Sequence, residues 1–153
     1  MKKVIIIITT AVVLFALLLI NIMITPLMNN LGAKKEMDRI KDTPLPDRSE
    51  LVETFYLAGN LNGSGNKMNF YGAVVIRSEL SLEEIDKHYS AYRKGKYDML
   101  VQHQASQQLE DIERNYGFDD TVDADVSDGK YYLVYTWGNG IAPYNHLVDL
   151  RAN

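Results

Sequence analysis

From Val4 to Ile24 the side chains are apolar except for Thr9, Thr10 and Asn21, and none is charged. At about 1.5 Å per helical residue this run reaches roughly 31 Å, the thickness of a bilayer's hydrocarbon layer. A helix satisfies its own backbone hydrogen bonds, so it is the form in which such a run crosses lipid. Apolar character continues through Thr25-Pro26-Leu27-Met28, which predicts a transmembrane anchor over residues 4–28. The pattern then changes. Residues 29–48 are polar, mix both charges and end in Thr43-Pro44-Leu45-Pro46-Asp47, where the prolines favour extended, semi-rigid chain. They are expected to form a stalk or linker, leaving residues 49–153 as one domain of a size that builds its own core.

Within that domain the alternation of polar and apolar positions predicts strands over Leu51–Ala58 and Lys67–Arg77, joined by the glycine- and asparagine-rich residues 59–66. In the second run Met68, Phe70, Gly72, Val74 and Ile76 share one face and Asn69, Tyr71, Ala73, Val75 and Arg77 the other. Both faces are largely apolar, which predicts a central strand. Ser81-Leu82-Glu83-Glu84 is a capping box with Leu80 and Ile85 at the staple positions. It should open a helix that buries Leu82, Ile85, Tyr89 and Tyr92 and stops at Gly95.

Tyr97–His103 reads as a further strand, whereas residues 105–116 fit either a helix or a turn followed by a strand. Asp128-Gly129 suits a type I′ turn, and predicts a hairpin of Thr121–Ser127 on Lys130–Trp137 that pairs Ala124 with Leu133 and Val122 with Tyr135. The expected fold class is therefore α+β: a mainly antiparallel sheet with one or two packed helices, preceded by a single N-terminal transmembrane helix.

A cleaved signal peptide is the competing reading of the N-terminus. Its apolar region is usually about 7 to 15 residues and ends at a small-x-small site. This run is longer, and a cut after Ala33 would have Leu31 where a small residue is needed, so an uncleaved anchor is expected. Lys34, Lys35, Arg39 and Lys41 on the far flank oppose the orientation signal of Lys2 and Lys3. The first pair abuts the apolar run directly, and this favours a cytoplasmic N-terminus and a domain outside the cell. The formal net charge is -4, and setting aside Lys2 and Lys3 makes the remainder more acidic still. That balance disfavours nucleic acid as a partner. No cysteine is present, which excludes disulfides, a thiol nucleophile and a lipid-modified cysteine.

Candidate chemistry is sparse. Asp119, Asp120, Asp123, Asp125 and Asp128 crowd together, but an EF-hand register from Asp123 puts Asp128 at the turn-glycine position and Val134 at the bidentate position. His88, His103 and His146 are singletons without metal-ligand spacing. The loop after Gly59 lacks both phosphate-binding orders of glycine and lysine, and no serine sits in a nucleophile elbow. No catalytic residue, cofactor site or metal site is therefore expected. The binding candidate is the segment in which the only tryptophan gives way to a glycine-flanked stretch, with Trp137, Asn139, Tyr144, Asn145 and His146 as its contacts.

The stretches LAGNLNGSGNKMNFYGAVVIRSELSLEEI and YYLVYTWG resemble a recurring pattern in small membrane-anchored proteins of Gram-positive bacteria whose activity is uncharacterised. The resemblance covers most of the domain. It implies a bacterial cell-surface setting, carries no site residues with it, and makes 105–116 look more like a strand. The expected function is a membrane-tethered extracytoplasmic domain, non-enzymatic, that binds a protein or cell-envelope partner or serves as an accessory subunit. A surface hydrolase using dispersed His and Asp groups is the alternative.

Overall fold

A computed structural model of the protein describes residues 2–59, 69–103 and 129–139. The chain begins with α1 (Lys2–Lys41), one uninterrupted helix of 40 residues with Pro26 inside it. It is long and apolar enough to cross a membrane. Every side chain from Val4 to Ile24 is exposed, whereas Thr25, Asn29, Gly32, Ala33, Met37 and Ile40 are buried. These six recur with helical spacing along one face. The expected stalk thus differs in its first part, because residues 29–41 are helical and pack on the domain. Only the stretch after Lys41, with Pro44 and Pro46, is the non-helical connector that the prolines predicted.

The domain is α+β. Its strands are β1 (Ser49–Gly59), β2 (Asn69–Ser78), β3 (Leu100–His103) and β4 (Tyr131–Asn139), and a short helix α2 (Leu82–Ser90) follows β2. All pairings among the described strands are antiparallel, in the order β1-β2-β4-β3. β2 is central as its two apolar faces predicted, and everything from Asn69 to Ile76 is buried. On one face Val74, Ile76, Tyr132 and Val134 pack with Ile40 of α1 and with Ile85 and Tyr89 of α2. On the other, Tyr71, Ala73, Val75, Leu133 and Tyr135 form a second cluster flanked by Phe55, Leu57 and Trp137.

Two glycines mark where α1 and β2 come into close contact, and the first is Gly72. A Cβ there would lie 2.5 Å from the backbone nitrogen of Met37, so α1 rests directly on the strand. The complementary contact is Gly32 on α1, where a Cβ would fall 2.2 Å from the ring of Phe70. Glycine on each partner lets backbone and ring approach to distances that any side chain would forbid.

The capping box forms as the sequence predicts: the Glu84 amide donates to Ser81 Oγ at 3.3 Å and the Ser81 amide to Glu84 Oε2 at 2.8 Å. Ile85 and Tyr89 are buried, Leu82 partly so, and Tyr92 lies exposed beyond the helix end. α2 stops at Ser90 and not at Gly95, which has no left-handed φ. The amides of Ala91, Tyr92 and Arg93 each donate to the carbonyl three residues back, tightening the chain into turns. The Arg93 guanidinium then donates to the Met99 carbonyl at 3.1 Å and to Asp86. β3 is shorter than its predicted span because Met99 adopts φ 45° and Asp98 turns away toward α1.

The Asp128-Gly129 hairpin needs correction. Its Thr121–Ser127 half lies outside the described residues, as do residues 105–116. On the other half, Tyr132–Tyr135 pair with β3 along one edge and with β2 along the other. Leu133 and Tyr135 therefore have no free edge for Ala124 and Val122. Local turn chemistry pointed to the neighbour in sequence, but the long β2 supplies the partner.

Gly129 itself has φ +67°, with nothing within 4 Å of the position a Cβ would take. The penalty for Gly129→Val is then one of backbone conformation alone, about 1–2 kcal/mol. The full chain should melt several degrees lower; an unchanged melting temperature would show that the entry to β4 does not depend on this turn.

Candidate functional site

Three segments meet where α1 crosses the end of the sheet: residues 35–42 at the end of α1 and just past it, the turn 94–98, and Thr136–Gly138 of β4. Helical spacing puts Glu36 and Arg39 one turn apart, and Arg39 donates to Glu36 Oε2 through Nε at 3.1 Å and Nη2 at 3.0 Å. The same guanidinium reaches Asp98, 59 residues further on. Asp98 also accepts from the backbone amide of Lys94 at 2.7 Å, which closes the turn. The turn is pinned to the sheet by the Tyr97 carbonyl, which accepts from the Trp137 amide at 2.9 Å and from Thr136 Oγ1 at 3.3 Å.

Beside this junction lies an open groove of about 660 Å³, lined among others by Lys35, Arg39, Lys94, Asp98, Thr136 and Trp137. Its walls carry charge of both signs. Burial pushes the Asp98 carboxyl up, but the hydrogen bonds from Arg39 and the Lys94 amide outweigh it and hold that group below the usual carboxylate range. For Arg39 burial acts downward, and the two carboxylates more than compensate, so its pKa is raised. Arg39 Nη1 is buried and has no hydrogen-bond partner among the described residues. The arrangement offers hydrogen-bond donors and acceptors to a polar ligand or peptide. Among the described residues it brings no nucleophile together with a base.

Comparison with protein-family models, curated proteins and solved structures finds no match for this chain. The geometry alone therefore bears on its role.

Of the residues singled out in the sequence, Trp137 belongs to β4, which runs on to Asn139 before it ends. The Trp137 ring packs on Tyr71 with centroids 4.7 Å apart, so this side chain contributes to the second core cluster. Asn139 is opposite Asn69 in register. Tyr144, Asn145 and His146 lie outside the described residues, and so do Asp119, Asp120, Asp123, Asp125, Asp128 and the loop after Gly59.

His88 Nε2 is 2.8 Å from the Pro44 carbonyl, and its ring lies 5.2 Å from that of Tyr89, tying the proline connector to α2. The His103 ring lies 4.8 Å from that of Tyr132. Among the described residues neither histidine pairs with a carboxylate, and no group of three or more His, Asp or Glu comes together. Two tyrosine hydroxyls, Tyr71 and Tyr89, are buried without hydrogen-bond partners among the described residues. Burial raises both; Tyr89 is pushed up to about 12, and each stays neutral at physiological pH.

The residues that sequence reasoning missed are Glu36, Arg39 and Asp98. A signal existed for the first two, an acid and a base three positions apart on one helix face, but nothing local announces Asp98 as their partner.

Proposed function

We propose that this chain is a single-pass membrane protein whose α+β domain faces out of the cell and binds a protein or cell-envelope component, alone or as an accessory subunit of a membrane complex. The observation that carries the reading is the change in environment along α1 between Ile24 and Thr25. Before that point the helix is exposed on all sides and almost wholly apolar from Val4 on, and beyond it one face of the same helix is buried in the domain. So large an exposed apolar surface calls for a cover, and a bilayer supplies one at the matching length. Lys2 and Lys3, directly beside the span, support a cytoplasmic N-terminus. The groove between α1 and the 94–98 turn is the binding surface we assign, since charged and polar groups converge there on a rigid base.

The absence of cysteine makes the test clean. Glu83 is exposed on α2, and Glu83→Cys supplies a single thiol. A membrane-impermeant maleimide should label it in intact cells. Labelling only after lysis would overturn the outward orientation, and a mature chain starting near residue 34 would overturn the anchor. A photo-crosslinking side chain at Lys35, on the groove's rim, should capture one reproducible neighbour; capture of none would remove the groove as the binding surface.

A further inference from the structure

The outer face of α1 does not turn polar where the predicted span ends. Ile20, Ile24, Leu27 and Leu31 are spaced four, three and four residues apart, so they stack along one side of the helix. Each is exposed; Leu27 and Leu31 are 58% and 51% accessible, although they lie at the level where Thr25, Asn29 and Gly32 are already buried in the domain. At 100° per residue the centre of the stripe falls opposite the docked face. The next positions on that side are Lys34 and Asp38, which pair at 2.6 Å, with Lys35 adjacent.

We infer that the far end of this stripe, Leu27 and Leu31, lies in the headgroup zone of the bilayer, so that the domain is seated on the lipid surface with no gap between membrane and sheet. The inference rests on the reading that α1 crosses the membrane. Four observations favour lipid as the occupant. The stripe is continuous with the exposed face of the span, so the surface that meets lipid below Ile24 is the one that continues above it. From Val4 to Leu31 the apolar side measures roughly 42 Å, too long for the ~30 Å hydrocarbon layer but matched to the ~40–45 Å that includes both headgroup zones. The stripe also ends at Lys34, which pairs with Asp38, and at the exposed Lys35, and lysine suits such a boundary because its long stem can lie along apolar surface while its ammonium group reaches phosphates and water. Asn30, exposed on the flank, is tolerable among headgroups and costly in hydrocarbon.

The placement has a consequence for the sheet. Phe70 lies against Gly32 and clusters with Ala33 and Ala58, one helical turn or less beyond Leu31. β2 and β1 therefore have their Asn69 and Gly59 ends nearest the membrane, and β4 ends at Asn139 on that same side.

The test is nitroxide labelling of the full chain in phosphatidylcholine vesicles, with single cysteines replacing Leu17, Leu31 or Glu83. All three positions are exposed, so folding is preserved. The readout is the ratio of collisions with oxygen, which concentrates in lipid, to collisions with a water-soluble nickel chelate. The label at Leu31 should give a ratio several-fold above that at Glu83 and below that at Leu17. A Leu31 label as open to nickel as Glu83, with Leu17 still in lipid, would overturn the inference and leave the span intact. A Leu31 label shielded from both reagents would overturn it in favour of a protein helix covering the stripe. A Leu17 label open to nickel would remove the span itself.

Discussion

Replacing Gly72 with valine should abolish the docking of α1 on the sheet and cost more than about 3 kcal/mol, the upper range for overpacking a core. Flexible side chains absorb an added methyl by rotating, but the atoms within 3 Å of the new Cβ are backbone atoms of Glu36 and Met37. The helix as a whole must lift, and Ile40 would leave its cluster with Val74 and Ile76. Gly72→Ala should show most of the loss. Gly138→Ala is the control, because the nearest atom to its Cβ is at 3.5 Å, an ordinary contact, and it should melt within a degree or two of the parent. Thermal unfolding of the full chain in detergent, followed by near-ultraviolet circular dichroism, separates the two. A Gly72→Ala chain as stable as the parent would mean that α1 does not rest on β2.

Loss of Asp98 should have the next largest effect. Asp98→Ala removes hydrogen bonds from a guanidinium and from the Lys94 amide and leaves Arg39 half-buried with only Glu36, at a cost of about 2–3 kcal/mol. The sign of the pH dependence follows from the direction of the shift. The folded-state pKa of Asp98 is lowered from 3.8, so its stabilisation is complete above that value and disappears as pH falls through the lower, folded one. The melting temperatures of the parent and Asp98→Asn should differ at neutral pH and converge as pH drops below about 3.8. A gap that persists unchanged into acid would show that the carboxylate's charge is not what holds the turn to α1.

Most of what the sequence made legible was local. Ser81 and Glu84 sit three residues apart and close a ring on each other, so the start of α2 needed no knowledge of the fold. The double apolar face of Asn69–Ile76 announced a central strand because nothing else buries both sides of an extended chain. The continuation of α1 to Lys41 was hidden by its own polarity. Asn29, Asn30, Lys34 and Lys35 read as linker, and the clue lay in the small and apolar residues Gly32, Ala33, Met37 and Ile40 recurring on one side. Tertiary docking overrides composition there. The partner of β4 was hidden for a different reason: Gly129 signals a turn, but pairing is decided by which long apolar strand is free, and β2 precedes β4 by some sixty positions. The Arg39–Asp98 contact is equally remote, so the groove it lines had no sequence motif.

The order of elements also bears on how the protein is made. α1 leaves the ribosome first and β4 last among the described elements, while α1 has its principal docking site, Gly72, in the strand between them. Until β2 has emerged, the face carrying Gly32, Met37 and Ile40 has nothing to pack on, and until β4 arrives β2 has a neighbour on one edge only. Such long-range closure makes folding late and slow relative to synthesis of the helix. During that interval the polar Asn29, Asn30, Lys34 and Lys35 oppose further entry of the waiting half-helix into lipid. On the proposed membrane placement they act as a stop for insertion, holding at the lipid surface the template on which the sheet later assembles.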